Sequence, residues 1–388
     1  MENNMITNSI FYIGANDRNI DLFEGQYKVA NGISYNSYLI KDEKNVIMDT
    51  IDKNATEEWI QKLELALSGE KPDYLVVSHL EPDHSYNIEL ICKKYPEMKI
   101  VGNAKTFAFI PQFFNIENLD ERKVEVKEGD SLNIGKHTLN FIMAPMVHWP
   151  EVMFTYEQTE KILFSADAFG KFGDLNAEEE WLDEARRYYI NIVGKYGIQV
   201  QAILKKASTL DIEKICPLHG PILTENLEYY INKYDIWSSY RPEEDGILIA
   251  YSSIYGNTAN AAKILEGLLK DEKQNVVIKD LARCDMAEAI SDAFKCSKIV
   301  LASSSYNFGL FPPMENFLNQ LKLKNFQNRK VGIIENGTWA PSAAKVMNEI
   351  ISQMKDIELL EPSITIRTKM NDENLVQMKE LVKSIIKA

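Results

Sequence analysis

The stretch VVSHLEPDHSYN, Val76 to Asn87, sets two imidazoles and two carboxylates within six positions: His79, Glu81, Asp83 and His84. It follows the apolar run Asp73-Tyr-Leu-Val-Val, read as a buried strand, and Pro82 is expected to break any immediate helix. The four groups are therefore expected on one extended loop at a strand's end, where i, i+2 and i+4 side chains point into one cavity. Three further groups also follow apolar runs: His148 in APMVHWPEV, Asp167 in LFSADAFG and His219 in CPLHGPI. Four of the five histidines fall at such strand ends; His137, in IGKHTLNF, reads as a structural hairpin residue. A lone imidazole is ordinarily a packed, hydrogen-bonded core residue. Seven nitrogen and oxygen ligands that could meet on one sheet edge make a metal centre the better reading.

A second constellation lies in the C-terminal part. SIYGNT, Ser253 to Thr258, sits between a strand and a helix, where backbone N–H groups, hydroxyls and the positive helix terminus converge on an anion. No lysine follows as in a nucleoside-triphosphate loop, so a monophosphate such as that of FMN fits better. Two more strand-end loops, SSSYNFGLFPP and ENGTWAPSAA, offer aromatic and backbone groups to a flat isoalloxazine ring. The candidate contacts are Ser253, Tyr255, Gly256, Asn257 and Thr258; Ser303, Ser304, Ser305, Tyr306, Asn307, Phe308 and Gly309; and Asn336, Gly337, Thr338 and Trp339.

The elements that must position these groups fall into two parts. The first 170 or so residues are rich in β-branched and aromatic strands interrupted by helices such as ATEEWIQKLELALSG, and Asn176 to about Tyr240 is mainly helical. After the polar stretch SSYRPEEDG the rhythm changes to strand–helix alternation over five candidate strands: GILIAYS, NVVIKDLA, SKIVLASSS, KVGIIENG and SITIRTK. That pattern predicts an α/β fold, a doubly wound five-stranded parallel sheet of the flavodoxin type. The boundary is placed near Asp245, giving domains 1–245 and 246–388.

With 388 residues, 45% apolar and 26% charged, the chain has the composition of a folded protein of two or three domains. Its net charge of −14 argues against nucleic-acid binding. No signal-peptide pattern and no apolar run near the roughly 18 residues of a membrane span is present, so a cytoplasmic location without membrane contact is expected. Cys92, Cys216, Cys284 and Cys296 form no C-x-x-C pair and are expected as reduced thiols.

The H-x-E-x-D-H loop resembles that of the metallo-β-lactamase superfamily, with Glu81 where a second histidine is usual. Exchanging imidazole for carboxylate hardens the site towards iron or manganese. Such a domain followed by a flavodoxin-like one resembles the flavodiiron proteins, or A-type flavoproteins, over essentially the whole chain, including GISYNSYLI upstream. The resemblance implies an αβ/βα sandwich carrying two non-haem irons. One would be held by His79, Glu81 and His148, the second by Asp83 and His219, with Asp167 bridging. His84 matches a position that binds iron in some members and not in others. Glu81, Asp83 and Asp167 with a bridging hydroxide would balance two divalent irons.

The implied activity is reduction of O2 to water, of NO to N2O, or both, with FMN refilling the irons. Two ferrous ions and a two-electron flavin hold the four electrons that O2 requires. Candidate proton donors are His84, Tyr188 and Tyr189 in RRYYINI. The resemblance further implies a head-to-tail homodimer, or a dimer of such dimers, in which one chain's FMN faces the other's irons. Because no Cys-rich extension follows ENLVQMKELVKSIIKA, a separate donor is expected: a rubredoxin, a flavoprotein reductase or reduced deazaflavin. Two other readings compete: a metallo-hydrolase of thioesters or phosphodiesters fused to a flavin module, and an O2/NO sensor or electron carrier. Glu81 and the lack of a basic groove count against the first, and the absence of an output domain against the second.

Overall fold

The computed structural model describes residues 5–388. It divides into two compact units, one running up to Tyr189 and resuming over Ile198–Tyr234, the other comprising Ile190–Gly197 and Asp235–Ala388.

The first unit is built on two sheets. One has six strands in the order Ile10–Tyr12, Tyr38–Ile40, Val46–Met48, Tyr74–Val76, Lys99–Gly102 and Lys123–Glu125. The other has five: Ser131–Asn133, Thr138–Met143, Met153–Glu157, Ile162–Phe164 and Lys214–Cys216. Pairing is antiparallel where the chain makes hairpins and parallel where helices intervene, as between Val46–Met48 and Tyr74–Val76 and between Ile162–Phe164 and Lys214–Cys216. Their inner faces share one core, in which Ile40, Val46, Met48 and Val76 meet Leu139, Phe141, Met153 and Phe164. The helix Thr56–Leu67 covers an outer face with Trp59, Leu63 and Leu67, spaced at helical intervals. Its Trp59 indole donates to the Ser37 hydroxyl at 3.0 Å, which satisfies the only polar atom of a fully buried side chain.

Pro82 acts differently from the sequence expectation. It starts a helical turn, Pro82–Ser85, as its first residue. Proline has no N–H to lose and a φ already suited to helix at that position, so it initiates where it would break an interior. Asp83 and His84 thus project from a turn of helix, not from an extended loop.

The second unit has five parallel strands in the order Val276–Asp280, Glu244–Ser252, Cys296–Tyr306, Gln327–Asn336 and Lys355–Ile366. The short strand Gly309–Leu310 pairs back onto the third of these in chain order. This is the doubly wound arrangement expected from the alternating pattern. Alternate residues Ile247, Ile249 and Tyr251 pack against Ala261, Leu265 and Leu269 of one helix, and Ile364 and Ile366 share that core with Met378, Leu381 and Ile385 of another. None of the described helices is long and apolar enough to cross a membrane.

Candidate functional site

Each candidate ligand stands where the chain leaves a sheet. His79 follows Tyr74–Val76, His148 follows Thr138–Met143, Asp167 follows Ile162–Phe164 and His219 follows Lys214–Cys216. Gly170 lets two of these loops come together: a Cβ there would lie 3.0 Å from the Asp167 carbonyl and 3.2 Å from that of His219.

The donors form two groups. In the first, Nε2 of His79 lies 3.3 Å from both Glu81 Oε2 and Asp167 Oδ2, while Nε2 of His148 lies 3.0 Å from the former and 3.1 Å from the latter. In the second, His84 Nε2 is 3.4 Å from Asp83 Oδ2 and 3.1 Å from Asp167 Oδ1, and His219 Nε2 is 3.2 Å from Asp83 Oδ2 and 3.7 Å from Asp167 Oδ1. Asp167 therefore turns one oxygen to each group. Donor atoms about 2.0–2.2 Å from a shared ion, at right to tetrahedral angles, stand roughly 2.8–3.6 Å apart, which matches nearly all of these separations.

Hydrogen bonding does not account for the crowding. Both carboxylate oxygens of Asp83 and Asp167, and Nε2 of His84, His148 and His219, are buried without a hydrogen-bond partner. Each such atom left unpaired costs about 1–3 kcal/mol. The electrostatics point the same way. Burial opposes charge on His148, yet Asp167 and Glu81 push its imidazole up to about 9. Burial likewise opposes ionisation of Glu81 and Asp167, but the surrounding histidines hold both carboxyls well below the usual range. Such a cluster attracts positive charge to its centre, and two metal ions fit its donors.

A second layer holds the first. His219 Nδ1 donates to the Ser34 carbonyl at 2.7 Å. Asp49 Oδ1 accepts from the backbone N–H groups of Ser78 at 2.6 Å and His79 at 3.3 Å, and burial pushes its carboxyl up to about 6. Glu151 Oε1 lies 2.8 Å from His79 Nδ1. None of these three was singled out from sequence. Asp49 carried the usable signal, an acid behind the apolar run NVIM like Asp167 behind ILFSA.

Aromatic rings wall the centre. Phe23, Tyr188 and Tyr35 approach His219 at centroid distances of 5.3, 5.5 and 6.0 Å, and Trp149 stands edge-on to His79 at 5.1 Å. Tyr188 is thereby brought to the candidate metal site, and burial followed by the charge of Asp167 raises its phenol well above the ordinary value, so it keeps its proton. Tyr189 packs its ring on Tyr234 at 4.9 Å. His137 lies in a separate network with Asp42, Glu160 and Ser9.

The second unit holds a cavity of about 400 Å³ at the C-terminal ends of its strands. Ser253, Tyr255, Asn257 and Thr258 line it, as do Ser304, Ser305, Tyr306, Asn307 and Phe308, and Asn336, Gly337, Thr338 and Trp339. Ile254, Ala340 and Thr368 join them, whereas Gly256, Ser303 and Gly309 do not line it. Ser303 turns inward to bond Ser252 at 2.9 Å, and Gly256 caps the helix Asn257–Asp271 with a φ of 93°. Thr258 and Ser304 hydroxyls meet at 2.9 Å on the cavity floor. Tyr255, Phe308 and Trp339 are 93%, 80% and 82% exposed at the rim, an apolar edge suited to a flat ring. Helix N–H groups and hydroxyls with no lysine or arginine among the lining residues suit one phosphate better than several.

Both halves of the chain resemble known proteins. Residues 33–220 match the family model described as ODP family beta lactamase. An anaerobic nitric oxide reductase flavorubredoxin of Vibrio vulnificus is 30% identical over 378 residues, covering 94% of this chain and 75% of the relative. Rubredoxin oxygen:oxidoreductase from Desulfovibrio gigas superposes with a TM-score of 0.91 at 25% identity, over 99% of this chain and 97% of that one. A histidine variant of a flavo di-iron protein from Thermotoga maritima gives 0.88 at 25% identity, over 97% and 95%.

Proposed function

Because this chain belongs to the flavodiiron protein family, we propose that it is an oxidoreductase reducing O2 to water, NO to N2O, or both, at a non-haem diiron centre fed by FMN. In this reading residues 1–245 carry the irons and residues 246–388 the flavin. His79, Glu81 and His148 would hold one iron, Asp83 and His219 the other with His84 on the same side, and Asp167 would serve both. The observation that carries the reading is the division of Asp167, with Oδ2 towards His79 and His148 and Oδ1 towards His84 and His219.

When bound, the irons and flavin supply the reducing electrons and a Lewis-acidic place for the substrate. The chain's residues supply the rest. Asp167, sharing its charge between the two donor groups, fixes their separation. Phe23, Tyr188, Tyr35 and Trp149 exclude bulk water from the imidazoles, which strengthens every charge interaction there. Tyr188, whose ring packs against that of His219, keeps its phenolic proton and is a proton-donor candidate for a small diatomic; His84 and Tyr189 are the others. Hydroxyls of Ser253 and Thr258 with the N-terminus of Asn257–Asp271 would hold the flavin phosphate, and the exposed aromatic rim would meet its ring.

We further propose that the protein works in the cytoplasm as a head-to-tail homodimer, or as a dimer of such dimers, and takes electrons from a separate rubredoxin, flavoprotein reductase or reduced deazaflavin. The test is metal and flavin analysis followed by anaerobic kinetics of the reduced protein with O2 and NO in parallel. About two irons and one FMN per chain with rapid oxidation by either gas are expected. Stoichiometric zinc without iron, and hydrolysis of a thioester or phosphodiester, would replace the reading with the hydrolase.

A further inference from the structure

One buried acid near the metal donors has no role in the assignment above. Glu151 is fully buried three residues beyond His148, and its Oε1 takes two donors: the His79 ring at Nδ1, 2.8 Å away, and the Leu80 backbone N–H at 2.9 Å. Its Oε2 is buried without any hydrogen-bond partner. Two N–H donors converge on Oε1, as they do on a carboxylate oxygen. Its only ion-pair partner among the described residues is His79. The backbone beneath it is pinned as well: Asn103, whose Oδ1 caps the helix Ala104–Phe113, donates from Nδ2 to the Glu151 carbonyl at 2.6 Å.

A buried, otherwise unpaired anion is costly, and its placement here is one-sided. His79 turns Nε2 to Glu81 and Asp167 and Nδ1 to Glu151. With Nε2 given to a cation, Nδ1 must carry the hydrogen and donate it to Glu151. The matching nitrogen of His219 donates to a neutral carbonyl, that of Ser34, and Nδ1 of His84 has no hydrogen-bond partner. A full negative charge behind an imidazole makes it a stronger, more imidazolate-like donor, and this favours the higher oxidation state of the bound metal.

We propose, resting on the diiron reading above, that Glu151 is a positioning residue that orients His79 and makes the iron on its side the more reducing of the pair. The two irons are then inequivalent by construction. The one held by His79, Glu81 and His148 is oxidised first and reduced last, and the one on the His219 side takes the first electron.

The experiment is a redox titration of the full-length, iron- and FMN-loaded protein, followed by electron paramagnetic resonance and Mössbauer spectroscopy, for wild type, Glu151→Gln and Glu151→Asp. Glu151→Gln keeps the shape and an acceptor oxygen for Nδ1 but removes the charge. It should retain both irons and raise one of the two one-electron potentials by at least a tenfold change in equilibrium constant, about 59 mV, leaving the other little moved. Glu151→Asp keeps the charge at a longer reach and should fall between. Two irons with both potentials unmoved in Glu151→Gln would overturn the proposal while leaving the diiron assignment intact. If Glu151→Gln fails to take up iron, Glu151→Asp decides: a smaller positive shift of one potential supports the role, and wild-type values refute it. A wild-type protein without iron would overturn the diiron reading itself, a distinct result.

Discussion

Replacing Asp167 by asparagine tests whether one carboxylate serves two metals. The change is nearly isosteric, but it removes a charge that lies within 3.3 Å of both His79 and His148 through Oδ2 and at 3.1 and 3.7 Å from His84 and His219 through Oδ1. An amide offers one weak oxygen donor and a repelling NH2, so it can serve one side at most. Each ion held at a thousand times its Kd stabilises the native state by about 4 kcal/mol. For a unit of this size about 1 kcal/mol moves Tm by about 2–4 °C, so each filled site adds about 8–16 °C. Scanning calorimetry of wild type before and after chelation should show the gain of both sites. Asp167→Asn should lose at least one iron and about half or more of that gain, while its flavin absorbance remains as evidence that the second unit is folded. Two irons and an undiminished gap between loaded and stripped forms would refute the bridging assignment.

Reduced wild-type protein exposed to O2 should release little hydrogen peroxide, because two ferrous ions and the flavin hold the four electrons needed for water; near-stoichiometric peroxide from an iron-replete sample would mean that flavin alone does the chemistry. Burial opposes the His137 imidazolium, but hydrogen bonds to Asp42 and Glu160 outweigh it and raise its pKa above the ordinary value of about 6.5. Its stabilisation is therefore complete below that ordinary value and fades as pH rises through the folded-state value. His137→Gln should accordingly cost most stability at pH 5–6 in urea melts and progressively less at alkaline pH, and a penalty that grows with pH would reverse the argument. Co-expression of Asp83→Ala with a Ser253→Ala, Thr258→Ala chain, each inactive alone, should restore activity if flavin and irons meet across a head-to-tail dimer; no recovery in isolated heterodimers would place transfer within one chain.

The clustering of the candidate donors was legible because each follows an apolar run, and a chain leaving a sheet edge has little freedom in where its next polar side chain goes. Pro82 was misread because the same ring that breaks a helix interior begins one at the first position, and only the fold says which applies. The outer layer was hidden for a different reason. Ser34 meets His219 through its carbonyl, an atom every residue has, so no sequence pattern could mark it. Glu151 looked like one acid among the chain's many until the packing set it against His79. In the second unit the loops were legible, whereas the side-chain directions within them were decided by strand alternation: Ser303 turns in to Ser252 and Ser304 turns out to Thr258.

The two sites differ in what their ligands do for the fold. At the candidate metal donors, buried oxygens and nitrogens stand without hydrogen bonds, so bound ions would remove a cost already built into the native state and their binding energy would appear directly as stability. At the flavin cavity, Thr258 and Ser304 already satisfy each other, and the aromatic side chains that would meet the ring sit in solvent. FMN there gains contact area without relieving a buried defect. Metal loss should therefore be felt through the whole first unit, whereas flavin loss should leave the sheet beneath it largely intact. This division suits a cofactor that must exchange electrons with an outside donor from an open rim, and a metal pair whose donors must stay fixed through every change of charge.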